Sequence, residues 1–153
     1  MSGNGFFTFS DYLRKESEVL SPSSEDYMEM IYRLSQDQGY TRVNDLAQAL
    51  NVQPPSVTKM LHKLADLKLI KYEKYGVITL EPNGEILGNT LLRRHNLIEE
   101  FLRILDLKES LLEETEKIEH TVNEEVLAGI CDLINFFKMN PELLNQFKKY
   151  RQS

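Results

Sequence analysis

The order of structural signals between residues 41 and 80 constrains the fold of this 153-residue chain most. One helical pattern begins after Thr41, which we expect to cap it, and a second begins at Pro54 or Pro55. A tight turn at Asn51-Val52 separates the two patterns. The inward-facing residues at helical spacing are Val43, Leu46, Ala47, Leu50, Val57, Met60, Leu61 and Leu64.

A hairpin is predicted directly after the second of these helices. Two β-rich runs between Leu69 and Leu80 flank the turn Lys74-Tyr75-Gly76. Two short helices followed by a hairpin form a winged helix-turn-helix, in which the second helix is the recognition helix. The same pieces also occur separately in other small α+β domains, but their order and compactness favour the winged interpretation.

Helical patterns surround this segment on both sides. Ser21-Pro22 is a good helix start, and we expect that helix to run to about Gln36. A break at Pro82-Asn83-Gly84 precedes a long helix over residues 84 to 106. Three shorter helical patterns then follow, at about 108–121, 123–138 and 141–150.

The predicted fold is therefore mostly α, with two domains. A winged helix-turn-helix domain is expected at residues 22–82, and an all-helical domain with the long connector helix at residues 83–153. Residues 1–21 form an N-terminal extension to which the sequence assigns no role.

Charge divides the chain in the same way. The net charge is −6, yet residues 41–75 carry six bases against three acids, a local balance of +3. Residues 96–132 carry three bases against eleven acids, a balance of −8. The basic segment fits DNA. We expect phosphate contacts from Lys59, Lys63, Lys71 and Lys74, and base-edge contacts from Gln53, Ser56 and Thr58.

Apolar runs and cysteine content limit the compartment and the chemistry. No apolar run is long enough to span a membrane and no signal peptide is recognisable, so we expect a cytoplasmic protein. Cys131 is the only cysteine, which excludes an internal disulfide and a thiolate metal cluster within one chain. We expect Cys131 to be a core residue.

Three places offer oxygen or imidazole donors in helical register. Asp26 and Glu29 lie about 60° apart, away from the apolar side of their helix. His95 sits at the edge of the apolar stripe of the connector helix. The stripe Glu116, Glu119 and His120 has the spacing i, i+3, i+4. Taken singly, each has an ordinary explanation: a charge at a helix start, a core histidine, or a solvated face.

These residues occur in a chain that, from about residue 21 to residue 141, resembles a known family. The chain resembles the small, two-domain manganese transport regulators of the diphtheria-toxin-repressor (iron-dependent repressor) superfamily. The stretches that carry the resemblance are Ser-Glu-Asp-Tyr-Met-Glu-Met-Ile-Tyr at 24–32, Pro-Ser-Val-Thr-Lys-Met at 55–60, Tyr-Glu-Lys-Tyr at 72–75, Arg-Arg-His at 93–95 and Glu-Lys-Ile-Glu-His at 116–120.

The resemblance implies a homodimeric, metal-responsive transcriptional repressor of metal-uptake genes that binds a palindromic operator and is not an enzyme. The metal ligands it implies are Asp26, Glu29, His95, Glu116, Glu119 and His120. Four carboxylates and two imidazoles suit Mn(II), and their charge of −4 balances two divalent ions per chain. The iron-responsive branch is expected to have methionine and cysteine where this chain has Asp26 and Glu119.

Three alternatives remain open. The same fold could sense Fe(II), Co(II) or Zn(II), because zinc binds such donors at least as tightly as manganese does. A di-iron enzyme would need a Glu-x-x-His on each of two helices, whereas His120 is the only histidine here that lies three or four residues after an acid. A winged repressor that senses an organic ligand would not need Glu119 or His120.

The dimer surface is expected on the apolar stripe between residues 126 and 137. This stripe could equally be core within one domain. The residues of this stripe are Val126, Leu127, Ile130, Leu133, Ile134 and Phe137.

Overall fold

The computed structural model describes residues 20–153. Over this range the chain divides into two compact units, one that ends at Leu92 and one that begins at Arg93. The helices are α1 (Pro22–Leu34), α2 (Val43–Leu50), α3 (Pro54–Asp66), α4 (Pro82–Ile104), α5 (Leu111–Glu119), α6 (Glu124–Met139) and α7 (Pro141–Gln152). The strands are β1 (Thr41–Arg42), β2 (Ile70–Tyr72) and β3 (Val77–Leu80). The predicted fold class, mostly α with a winged helix-turn-helix first, is confirmed.

Helix α1 starts where the sequence predicts. The Ser21 hydroxyl accepts a hydrogen bond from the Ser24 backbone N–H at 3.1 Å, and Pro22 occupies the first turn, where its missing donor costs nothing. The helix ends two residues before the expected Gln36, and the chain then turns at Gly39, whose φ is +83°.

Helices α2 and α3 form the predicted helix-turn-helix. Asn51 adopts the left-handed conformation at the end of α2 (φ 54°), which a short polar side chain tolerates better than most. Pro54 opens α3. The expectation that Thr41 caps α2 is wrong, because Thr41 is buried in β1 and pairs with Ile78 of β3. Arg42 occupies the cap position of α2 instead, and its side chain makes no capping hydrogen bond.

The wing is a three-stranded antiparallel sheet with strand order β1-β3-β2. In the hairpin, Ile70 lies opposite Leu80 and Tyr72 opposite Ile78. The wing tip is a tight turn over Lys74–Gly76. Arg42 of β1 donates to the Tyr75 carbonyl at 3.3 Å, so the first strand also braces the tip.

One apolar core holds the first unit together. Helices α1, α2 and α3, the sheet and the start of α4 all contribute to it. The fully buried side chains include Met28, Ile31, Leu46, Val57, Leu61, Leu64, Ile78, Leu87 and Leu91. This core fixes the orientation of α3, whose opposite face is exposed.

Helix α4 starts at Pro82, so the sequence Pro82-Asn83-Gly84 forms its first turn instead of breaking the chain. The reason is a close packing contact. A Cβ atom on Gly84 would lie only 1.8 Å from the Leu69 carbonyl oxygen. Glycine therefore lets the helix start against the backbone of Leu69, the residue that precedes β2.

We expect Gly84→Ala to destabilise the protein by about 2–3 kcal/mol, because backbone atoms at this contact must move apart. The measurement is the free energy of unfolding in urea. Asn83→Ala is the control, since Asn83 is exposed in the same turn. Equal stability of the two variants would contradict the packing role of Gly84.

The second unit contains the end of α4 and helices α5 to α7, around Ile98, Leu102 and Leu127. Asn123 caps α6, since its Oδ1 accepts from the Val126 N–H at 2.9 Å. Cys131 is half-buried, so the expectation of a core cysteine is wrong. It lies on α6 beside exposed positions, and its sulfur accepts a long contact from Asn135 at 3.7 Å.

The apolar stripe of α6 is divided between two sides of the helix. Leu127 and Ile134 are buried, whereas Val126 is 49%, Leu133 40% and Phe136 49% exposed. Leu127 and Ile134 are therefore core within the unit, Val126, Leu133 and Phe136 face outward, and Ile130 and Phe137 are half-buried. None of the helices within residues 20–153 is a candidate membrane span.

Candidate metal centre

His95 is buried in α4 between two carboxylates of the second unit. Its Nδ1 lies 2.6 Å from Glu119 Oε2, and its Nε2 lies 3.2 Å from Glu99 Oε2. Only 4% of His95 is exposed. Both ring nitrogens therefore face oxygen atoms, which fixes the plane of the imidazole.

Glu119 and His120 end helix α5, and they complete this cluster. Glu119 is 1% exposed, and its second oxygen, Oε1, lies 3.6 Å from Nε2 of His120. A buried carboxylate thus has an imidazole nitrogen beside each of its oxygens. Burying such a charge is costly unless cationic or hydrogen-bonded partners surround it.

Glu116 lies one turn earlier on α5 and is exposed to solvent. Glu116, Glu119 and His120 thus have the predicted spacing but differ in burial: Glu116 is exposed, Glu119 is buried and His120 is half-buried. Leu111, Ile118 and Val122 pack against the apolar core of the unit.

Asp26 and Glu29 lie on α1 in the first unit, three residues apart on one side of the helix. Glu29 is 9% exposed, so this side is less solvated than an acidic surface would be. The guanidinium of Arg33, one turn later, lies 2.9 Å from Glu29 Oε2. This ion pair supplies a positive charge to a carboxylate that burial would otherwise disfavour.

Glu99 is a residue of this cluster that the sequence analysis missed. A hydrogen bond from Arg103, together with the charges of Arg103 and His95, holds the pKa of the Glu99 carboxyl below its usual range, against the opposing effect of partial burial. The spacing His95-x-x-x-Glu99, one helical turn, was the signal that could have identified it.

The donor chemistry fits a hard or borderline divalent cation. The second unit offers the nitrogens of His95 and His120 and the oxygens of Glu119 within a small, largely buried cluster. Imidazole and carboxylate are ligands that manganese, iron, cobalt and zinc accept, and no sulfur is among them.

Comparison with protein families assigns both units. Residues 19–78 match the iron dependent repressor N-terminal DNA binding domain, and residues 81–148 match the iron dependent repressor metal binding and dimerisation domain. The chain belongs to the iron-dependent repressor family. Members are metal-dependent transcriptional regulators, and the recognition made from the sequence is confirmed.

Individual members of the iron-dependent repressor family are similar over most of this chain. The HTH-type transcriptional regulator MntR of Bacillus pumilus (strain SAFR-032) is 43% identical over 131 residues, which is 85% of this chain and 91% of that protein. The MntR of Lysinibacillus sphaericus (strain C3-41) is 42% identical over 129 residues, 84% of this chain and 93% of that protein.

The solved structure described as the manganese regulator SloR has a TM-score of 0.66 to this chain at 32% sequence identity. The match covers 76% of this chain but only 55% of SloR. This chain therefore spans about half the length of that solved relative.

The predicted DNA-contacting residues at and near α3 differ in exposure and in whether their side chains are already hydrogen-bonded. Gln53, Ser56 and Lys59 are exposed. The Thr58 hydroxyl donates to the Pro54 carbonyl at 3.2 Å, so it is already engaged within the helix. Lys63 is exposed but donates to Ser24 Oγ at 3.2 Å.

The wing carries the other two predicted bases of this DNA-binding domain. Lys74 is exposed at the tip. Lys71 is exposed on β2, and its Nζ lies 3.9 Å from Glu81, a weak pairing that leaves the ammonium accessible. Tyr75, 93% exposed beside Lys74, was not among the predicted DNA-contacting residues.

Proposed function

We propose that this chain is a manganese-responsive repressor whose affinity for DNA rises when Mn(II) binds. The observation that carries the proposal is the buried Glu119 carboxylate, with His95 Nδ1 at 2.6 Å and His120 Nε2 at 3.6 Å. The described similarity to a manganese regulator supports the choice of metal, as does a donor set without sulfur.

The proposed ligands extend beyond that cluster. Four carboxylates and two imidazoles carry a charge of −4, which two Mn(II) ions per chain neutralise. The resemblance to manganese regulators and the helical register of the donors support this set. Its members are Asp26, Glu29, His95, Glu116, Glu119 and His120.

The proposed ligands are divided between the two units, with Asp26 and Glu29 in the first and the other four in the second. When bound, the metal would supply a cross-link between carboxylates that otherwise repel one another. A homodimer must place two recognition helices in successive major grooves, about 34 Å apart. Restricting the freedom of each DNA-binding unit raises the affinity for a palindromic operator.

We propose the division of labour that the sequence predicts, with DNA binding in residues 22–82 and metal binding and dimerisation in residues 83–153. In the first, four lysines would contact phosphates, whereas three polar side chains at the start of α3 would face base edges. The lysines are Lys59, Lys63, Lys71 and Lys74, and the polar residues are Gln53, Ser56 and Thr58.

We propose that the exposed side of α6 forms the dimer contact. Val126, Gly129, Leu133 and Phe136 follow one another at helical spacing, and all four are exposed. A Cβ on Gly129 would meet no atom of the described chain within 4 Å. A glycine in an exposed helix interior costs about 0.5–1 kcal/mol relative to alanine, so its use here fits close approach of a partner helix.

We propose that the protein acts in the cytoplasm, where its DNA target is, and that it regulates genes for metal uptake. We further propose that it has no enzymatic activity, because the donor cluster belongs to a domain of a regulator family. The metal serves binding and rigidity in this scheme.

Arg33 gives a test of the role of Glu29. The Arg33 guanidinium competes with a bound cation for the Glu29 carboxylate, with a separation of 2.9 Å. We expect Arg33→Met to raise the affinity for Mn(II) about two- to fivefold, equivalent to an ion pair of about 0.4–1 kcal/mol. Isothermal titration with MnCl2 measures this affinity.

The control for that experiment is Lys149→Met, which removes the same charge from an exposed position on α7. Its Mn(II) affinity should equal that of the wild type. If Arg33→Met binds Mn(II) no more tightly than Lys149→Met, Glu29 is not a ligand in competition with Arg33.

The experiment that tests the proposed function compares metals by activation of DNA binding, because affinity alone favours zinc. Mn(II), Fe(II), Co(II) and Zn(II) are each added until the sites are filled, and the affinity for a DNA duplex selected from a random library is measured. The proposal expects Mn(II) to activate, with two ions bound per chain. Activation by Zn(II) or Fe(II) with none by Mn(II) would contradict it.

A further inference from the structure

A buried serine hydroxyl connects α1 with the recognition helix α3. Ser24 is completely buried. Its hydroxyl donates to Met60 Sδ at 3.5 Å and accepts from Lys63 Nζ at 3.2 Å, and it lies 3.0 Å from the Ser21 hydroxyl. Two of these three partners lie on α3, 36 and 39 residues further along the chain.

Capping of α1 does not require this hydroxyl. The Ser21 side chain already accepts the Ser24 backbone N–H, and the backbone of α1 supplies the bonds that follow. The Ser24 hydroxyl is instead used between helices. One donor and two acceptor positions are all occupied, which is the full capacity of a hydroxyl group.

Ser24 moves with the proposed ligands on α1. Asp26 and Glu29 follow it by two and five residues on the same helix, about 3 and 7.5 Å along the axis at about 1.5 Å per residue. A helical segment of this length behaves as a rigid body. Any effect of cation binding on the position of α1 therefore reaches the Ser24 hydroxyl, whose hydrogen bonds with Met60 and Lys63 connect it to α3.

Lys63 is the partner through which such a displacement would affect DNA. Its ammonium group has three donors, and Ser24 takes one of them, which leaves two for a phosphate. The lysine side chain is long and flexible, so a fixed acceptor reduces the entropy lost when it contacts DNA.

We propose that Ser24 is a positioning residue that couples helix α1 to Lys63 of the recognition helix. It holds the Lys63 ammonium in place for a DNA phosphate when α1 is in its metal-bound position. This inference rests on the proposed function, since the coupling has a role only if metal binding raises the affinity for DNA.

The test is a double-mutant cycle with Ser24→Ala and Lys63→Met. Fluorescence anisotropy gives the dissociation constant for the selected DNA duplex with and without MnCl2, and the ratio of the two constants is the metal activation. We expect Ser24→Ala to lower this ratio about three- to tenfold, a typical size for a coupling residue. In the Lys63→Met background, Ser24→Ala should change the ratio by less than twofold.

Ser23→Ala is the matched control, because Ser23 is the exposed neighbour in the same turn. It should leave the ratio unchanged. Isothermal titration of each variant with MnCl2 in the absence of DNA provides a second readout, and Ser24→Ala should bind the metal as the wild type does. Lys63→Met is expected to fold normally because Lys63 is exposed, so the cycle does not depend on the buried substitution alone.

The outcomes separate the two proposals. If the wild type responds to Mn(II) and Ser24→Ala responds equally, the coupling role of Ser24 is wrong and the proposed function stands. If Ser24→Ala lowers the ratio equally with and without Lys63, Ser24 acts on the fold and the inference is overturned. If the wild type itself does not respond to Mn(II), the proposed function fails and the inference fails with it.

Discussion

Replacement of Glu119 by glutamine is expected to lower the affinity for Mn(II) by at least about 100-fold. Loss of a group that only supports a metal ligand costs about 10- to 100-fold in affinity, so loss of a proposed ligand should cost at least the upper value. The substitution keeps the size of the side chain, but it replaces a carboxylate oxygen with an amide that donates. Nδ1 of His95, at 2.6 Å, and Nε2 of His120, at 3.6 Å, then face a poorer partner. Manganese activation of DNA binding should disappear with the bound ion.

The measurement is electron paramagnetic resonance of free Mn(II) during titration of the protein. Glu113→Gln is the control, because Glu113 is exposed on the same helix and pairs with Lys117 at 2.7 Å. Exposed ion pairs contribute little, so this variant should bind Mn(II) normally. If Glu119→Gln kept the wild-type affinity and regulation, a repressor that senses an organic ligand would be the better explanation.

Substitution of Leu133 by glutamate is expected to convert the dimer into a monomer. Leu133 is 40% exposed in the centre of the outward side of α6, where a second copy would bring two glutamates together. Separate monomers each bind one half-site, so the affinity for a palindromic duplex should fall by about 100-fold or more. Sedimentation velocity and anisotropy measure the two effects.

Leu112→Glu is the matched control, since it makes the same change at a leucine on α5 that is 61% exposed. That variant should remain a dimer and bind the duplex as the wild type does. A Leu133→Glu protein that sediments as a dimer would show that the contact lies elsewhere in the second unit.

Local sequence signals predicted the parts of the fold that depend on neighbours along the chain. The Ser21 cap, the start of α3 at Pro54 and the hairpin around Lys74–Gly76 are all confirmed. Each rests on turn or capping chemistry within about four residues. The family and the order of the domains followed from several short motifs taken together.

The errors concern residues whose partners are distant in sequence. Thr41 is a good helix cap by type, but pairing with Ile78 draws it into a strand. By residue type, Gly84 indicates a helix break. It is needed inside the helix because a Cβ at this position would overlap the Leu69 carbonyl oxygen. Glu99 is a different case, because its partner His95 is only one helical turn away, and it was missed because the contact gains significance only once the ring orientation is known.

The six proposed ligands and the seven proposed DNA-contacting residues stay predictions. Helical register could group Glu116, Glu119 and His120, but it could not show that Glu119 is buried while Glu116 is exposed. Burial depends on how helices pack, which the spacing of residues within one helix does not determine.

Anisotropy of a labelled palindromic duplex, titrated with the wild-type protein in the presence of either MnCl2 or a chelator, tests the central claim most directly. The duplex is selected beforehand from a random library with the manganese-loaded protein. We expect manganese to tighten binding at least about tenfold, within the usual range for coupling between two sites. Equal affinity of the metal-free and manganese-loaded protein for that duplex would contradict a metal-responsive repressor.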